Sequence, residues 1–192
     1  MHNVIRQSVA GLRVILVLTV LLGVLYPALV WGAGQVVARD QAAGSLVTVG
    51  GRVVGSSLLG QQWQGEEWFH SRPSASDASG ETSGGTNLGP GAALDAEVTT
   101  RARAVGLDVT TAPPDALTAS ASGLDPHISP EYAALQVERV AAARGLDTTR
   151  VAALVDSATQ GRAGGFLGEP RVDVLALNLA LDRLAATRVG RG

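Results

Sequence analysis

Apolar side chains are spread very unevenly along this chain of 192 residues. From Val14 to Trp31 no residue is charged, and only Thr19, Gly23 and Pro27 interrupt the apolar run. As an α-helix those 18 residues would span about 27 Å. The hydrocarbon core of a bilayer is about 30 Å thick. Residues 12–32 are therefore predicted to form a transmembrane helix, with 1–11 as a short tail and 33–192 as the folded domain. Thr19, Gly23 and Pro27 recur every four residues, which places small residues on one helix face, where neighbouring helices approach closely.

Arg6 and Arg13 precede the apolar run, and Arg39 follows it. This asymmetry puts the N-terminus in the cytoplasm and makes 33–192 an extracytoplasmic domain in the cell membrane. Tyr26 and Trp31 near the far end suit the headgroup zone. A cleaved signal peptide is the competing reading, because Gly32-Ala33-Gly34 is a small-x-small site. The apolar run is longer than the roughly 7–15 residues of a signal-peptide core, which favours the anchor.

Beyond residue 32 the periods shorten. Leu46, Val47 and Val49 precede Gly50-Gly51, and Val53 and Val54 follow, the pattern of a β-hairpin with a tight turn of positive φ. Glu67–His70 reads as a third extended run. Residues 71–92 are rich in Gly, Ser, Pro and Thr and form a long loop. Loops of that length within a compact domain are either functional or disordered. A helix over 94–105 stops at Gly106, and 109–122 is predicted as a strand with Leu117 and Ala119 inward.

Ser129 and Pro130 open another helix, with Tyr132, Leu135, Val137 and Val140 on its buried side and Gly145 at its end. Asp147 caps a helix over 148–159, and 161–168 is a second loop. Asp173 caps the last helix, whose stripe is Val174, Leu177, Leu181 and Leu184. Val172 and Val174 also alternate as a strand would, but length and Leu/Ala content favour helix. The domain is α+β without βαβ rhythm.

Composition removes several chemistries. The chain has neither cysteine nor lysine: all 15 of its basic side chains are arginines. Disulfides, thiolate metal sites, a P-loop and Schiff-base catalysis are therefore excluded. Residues 40–192 carry 17 acids and 12 arginines, a net charge of about −5, so nucleic acid is not the partner. The histidines are His2, His70 and His127, and no G-x-S-x-G elbow accompanies them. His127 is a candidate base, although a lone loop histidine is more often structural. Trp63, Trp68 and Phe69 form either a ligand platform or core packing under the hairpin.

Seven stretches carry a resemblance. They are Tyr26-Pro27; Gly60-Gln61 to Trp63; Phe69 to Ala75; Ser83 to Pro90; Leu117 to Pro130; Ala134 to Ala141; and Asn178 to Asp182 after Gly168-Glu169-Pro170. Together and in order they resemble the KdpC subunit of the bacterial high-affinity potassium-transporting ATPase. The resemblance implies an accessory subunit, not an enzyme in its own right. Its partners would be a potassium-channel-like subunit and a P-type ATPase subunit, with the membrane around them.

The subunit would be needed for assembly and would act as a catalytic chaperone that raises the ATP affinity of the ATPase subunit. It would have no cofactor of its own and would share ATP with that partner. Ser120, Ser122, Gly123 and Gln136 are the candidate nucleotide contacts. A domain outside the membrane cannot reach cytoplasmic ATP, and the same residues would then serve fold and docking. The alternative is a membrane-anchored extracytoplasmic enzyme or small-molecule binder using His127 and the 71–92 loop.

Overall fold

A computed structural model describes residues 2–189, with side chains described from 3 to 186. The chain divides into two units between Leu46 and Val47.

In the first unit, α1 (His2–Val20), a π turn (Leu21–Leu25) and α2 (Tyr26–Val37) run on as one helix. The predicted span of 12–32 lies within it, and the helix extends past both ends. Pro27 has no N–H, and its ring crowds the carbonyl four residues back, at Gly23. The helix widens there into the π turn, which Tyr26 N–H closes by donating to Leu21 O. Every large apolar side chain from Val4 to Trp31 is at least 41% exposed. Leaving that surface in water costs about 25 cal/mol per Å², so it requires cover. Ala38, at φ −147° and ψ 58°, breaks the helix, and a single turn, α3 (Arg39–Ala42), follows.

The second unit opens with the predicted hairpin, β1 (Leu46–Val49) and β2 (Arg52–Ser56). Gly50 and Gly51 have φ of 56° and 80°, as a primed turn needs. After a long irregular segment comes α4 (Ala92–Val105), ended by Gly106 in the left-handed conformation. The expected strand over 109–122 is absent. Asp108 accepts from Thr110 N–H at 2.7 Å and tightens a turn. Pro113 and Pro114 then start the one-turn helix α5 (Pro114–Leu117). Leu117 is buried as expected, but from a helix.

β3 (His127–Ile128) leads into α6 (Pro130–Arg144). Ser129 Oγ accepts from Tyr132 N–H at 3.0 Å, and Gly145 ends the helix at φ 61°. Tyr132, Val137 and Val140 face the core, but Leu135 is 50% exposed, a correction to the predicted stripe. Asp147 caps α7 (Thr148–Ala158) by accepting from Arg150 N–H. β4 (Thr159–Gln160), β5 (Arg171–Asp173) and α8 (Val174–Val189) complete the order.

The sheet is antiparallel, ordered β3-β5-β4, with Ile128 opposite Val172 and Thr159 also opposite Val172. Val172 therefore lies in a short strand, while Val174 already opens α8, which Asp173 caps by accepting from Ala176 N–H at 2.8 Å. Phe69, Val140, Val151, Val172, Leu177 and Leu181 are fully buried at the centre.

Candidate functional site

The expected extended run Glu67–His70 is not a strand. It is a strap that turns at Glu66–Glu67 and bends at Trp68, and its backbone partners are side chains. Asn178 on α8 donates from Nδ2 to Phe69 O and accepts from Phe69 N–H, both at 2.9 Å. Gln136 on α6 does the same for His70, accepting from its N–H at 2.7 Å and donating to its carbonyl at 3.1 Å. One carboxamide matches one peptide group, as a neighbouring strand would. Arg139 donates to Glu66 O, Trp68 O and Gln136 Oε1. Arg144 donates to Glu67 O and Asp182 and lies 4.2 Å from the Trp68 ring centre. Trp68 in turn lies 5.0 Å from Trp63. The aromatic group packs the strap down onto the domain.

Past the strap, the chain is held against the 118–127 segment. Arg72 donates to Asp125 Oδ2 at 3.0 Å and to Thr118 O. Asp125 Oδ1 accepts from His127 N–H at 3.0 Å and lies 3.6 Å from His127 Nδ1. The His127 ring, its backbone N–H and Arg72 hold the Asp125 carboxyl down at about 2 against a burial penalty that raises it. Asp115 receives both the N–H and the Oγ–H of Ser129. Arg72, Asp115, Asp125, His127, Glu169 and Arg171 surround an open cleft of about 550 Å³. Among the described residues, no group of His, Asp and Glu is placed to hold a metal ion.

Ser120, Ser122 and Gly123 come together in one turn. Ser120 Oγ accepts from Gly123 N–H at 3.1 Å, and Ser122 Oγ accepts from Leu124 N–H at 3.1 Å. The carbonyls of this turn receive the 74–84 loop. Ser83 Oγ–H and Gly84 N–H donate to Ser122 O, while Ser74 and Ser76 hydroxyls donate to Gly123 O. Gln136 stands apart on α6, 5% exposed, with its amide engaged by His70. Phe69, just before the long loop, is buried; within the loop Arg72 is ion-paired and Asn87 sits at φ 54°. Asn178, Arg139 and Asp115 are the clamping positions that periodicity missed. Asn178 had a usable signal: a polar side chain among the apolar positions of the last helix.

The arrangement is a set of structural clamps around a turn and a mixed-charge cleft. The family described as KdpC, K+-transporting ATPase, c chain, matches residues 8–183. This chain belongs to the KdpC family. A potassium-transporting ATPase KdpC subunit from Kineococcus radiotolerans is 54% identical over 190 residues, covering 95% of this chain and 96% of that one. The one from Nitratidesulfovibrio vulgaris is 50% identical over 197 residues, covering 98% of each. The one from Koribacter versatilis is 46% identical over 190 residues, covering 92% and 94%. The match to KdpC chains thus takes in the apolar helix, the strap, the turn and the cleft alike.

Proposed function

We propose that this chain is an accessory subunit of an ATP-driven potassium uptake pump. It holds the complex together and acts as a catalytic chaperone that raises the ATP affinity of the ATPase subunit. Its partners are that subunit and a potassium-channel-like subunit. The chain crosses the cell membrane once, N-terminus in the cytoplasm, with the folded unit outside. The observation that carries this reading is near-full-length similarity to KdpC subunits in a chain with, among the described residues, one long apolar helix whose large apolar side chains are exposed.

A single helix encloses no ion path, and a chain without lysine has neither a P-loop lysine nor the Asp-Lys-Thr phosphorylation motif. Its effect is therefore exerted on a partner's equilibrium, by binding some conformations better than others. Copurification tests this directly. The full chain should bring down the other pump subunits, and a chain ending at Leu46 should abolish ATP-driven potassium uptake. ATP turnover by the purified full chain alone, surviving repurification, would overturn it.

A second reading, nucleotide contact at Ser120, Ser122, Gly123 and Gln136, finds support for its two serines alone: with Arg72 they help to line an open cleft of about 640 Å³, which neither Gly123 nor Gln136 lines. Under it, a photoreactive ATP analogue should label residues around Ser122, and Ser122→Ala should reduce labelling without changing the fold. Labelling confined to the ATPase subunit rejects it.

A further inference from the structure

A further cleft, of about 390 Å³, lies where α4, α5 and α6 meet the 61–78 segment. Trp63, Pro73, Ala116 and Tyr132 give it an apolar lining, with Ala104 and Val105 from α4. Trp63 is fixed in place: its ring lies 5.0 Å from that of Trp68 and packs against the core. Tyr132 is 8% exposed, and its backbone N–H is spent on Ser129. Its hydroxyl has no hydrogen-bond partner among the described residues, yet it is not sealed from solvent. A polar group left open in so buried a residue is a free donor and acceptor. The indole N–H of Trp63 is likewise unpartnered among the described residues.

The charges around this cleft select against ions. Arg72 is paired with Asp125 and Arg101 with Glu97, so neither calls for an anion, and both repel a cation. Asp77 has no partner among the described residues, and its carboxylate repels an anion. A built turn presents it: Ser74 Oγ accepts from Ser76 N–H at 3.1 Å and from Ala78 N–H at 3.0 Å. Gln61, Gln62 and Gln64 add amides to the same lining. Gln61 Nε2 donates to Val54 O and Gln64 Nε2 to Gln62 Oε1, which leaves both a Gln62 amino group and the oxygens of Gln61 and Gln64 open. We propose that this cleft binds a neutral sugar, its ring face against Trp63 and its hydroxyls bonded by Tyr132, Asp77 and the glutamine amides. A sugar ring joins an apolar C–H face to hydroxyls that both donate and accept, which matches an aromatic lining with open groups of both kinds. One carboxylate can accept from two neighbouring hydroxyls. The volume lies within the roughly 300–1,000 Å³ of small-molecule sites. A purely apolar ligand would leave the Tyr132 hydroxyl and the indole N–H unpaired and dry.

The test uses the full chain in micelles of a detergent without a sugar headgroup. D-Glucose, maltose and N-acetyl-D-glucosamine are titrated separately, read by tryptophan fluorescence and by calorimetry. At least one should bind saturably with a dissociation constant of about 1 mM or tighter. Tyr132→Phe and Asp77→Asn should each weaken that binding about fivefold, the loss of one hydrogen bond. Melting temperatures should stay within about 2 °C of wild type, because neither polar group bonds to the protein. Asp77 is exposed, so its variant decides the matter even where Tyr132→Phe disturbs the core. No saturable binding of any of the three sugars would overturn the proposal. So would binding that Asp77→Asn and Tyr132→Phe both leave unchanged. Tighter binding of acetate or methylammonium than of any sugar would mark an ionic site and overturn it as well.

Discussion

Two glycine-rich excursions leave the ordered elements of the folded unit, one over residues 71–91 and the other over 161–170. The first is held by groups distant in sequence. Arg72 reaches Asp125, Ser74 and Ser76 reach Gly123, and Ser83 and Gly84 reach Ser122. The second is closed on itself by Ala163 with Leu167 and Arg162 with Glu169. Composition is similar, yet the first buries its polar contacts in the domain and the second offers apolar side chains to the outside. The difference teaches which loop supports the fold and which stands clear of it. Substitutions of the first loop's bonded residues should cost stability, and those along the second should not.

The largest effect is expected where the strap that leads into the first loop is held. Asn178→Leu keeps the volume but leaves Phe69 N–H and C=O buried without partners. Each lost group costs about 1–3 kcal/mol, so the full chain in detergent micelles should lose about 3 kcal/mol against denaturant. Amides from 69 to 76 should exchange faster. A loss under about 1 kcal/mol would mean that the strap is held mainly by the Phe69 ring.

Next comes the turn that receives the first loop. Gly123 has φ +73°, and an added Cβ would lie 2.5 Å from Gly84 O and against Ser76 Oγ. Gly123→Ala therefore combines backbone strain with a clash against main chain, for about 1–3 kcal/mol. Exchange protection should fall across 72–85 and hold across 161–170. Uniform loss across both loops would erase the contrast.

How much of this was legible in the sequence follows from the range of each interaction. Gly50-Gly51, Ser129-Pro130, Gly145 and Asp147 act on their own neighbours, and each does what its local chemistry dictates. Phe69 was legible as core packing, one of two readings of the aromatic group. The partners of Arg72 and Phe69 were not legible, because Asp125 lies 53 residues from Arg72 and Asn178 lies 109 from Phe69. The same distance hid the fate of 67–70: the run reads as extended chain until two carboxamides from α6 and α8 take the hydrogen bonds of Phe69 and His70. Strands β3, β4 and β5, of two or three residues, are too short to show a period. Gln136 was a nucleotide candidate on the resemblance, and its amide is taken by His70, 66 residues away, which no local pattern shows.

A smaller effect is expected from acid. Asp125 has its folded pKa depressed to about 2, below the unfolded value near 4. Its stabilisation is therefore complete above about pH 4 and is lost as pH falls through 2. Two units correspond to about 2.5 kcal/mol, reduced to about 1–2 because the carboxylate is partly exposed. Asp125→Asn should be less stable than wild type at pH 7 and converge with it near pH 2. A gap that persists unchanged to pH 2 would show that Arg72 and His127 do not act through the carboxylate charge.

The smallest effect sharpens the comparison from the other side. Glu169→Gln breaks the ion pair at the base of the second loop, whose partners are 45% and 78% exposed. Such pairs contribute about 0–1 kcal/mol and are screened at 0.15 M salt. The two Ala163–Leu167 backbone bonds and the turn glycines remain, so the hairpin keeps its shape. Stability should change by no more than about 0.5 kcal/mol, and amides 163–167 should exchange as in wild type. A loss near that of Gly123→Ala would mean the second loop also supports the fold.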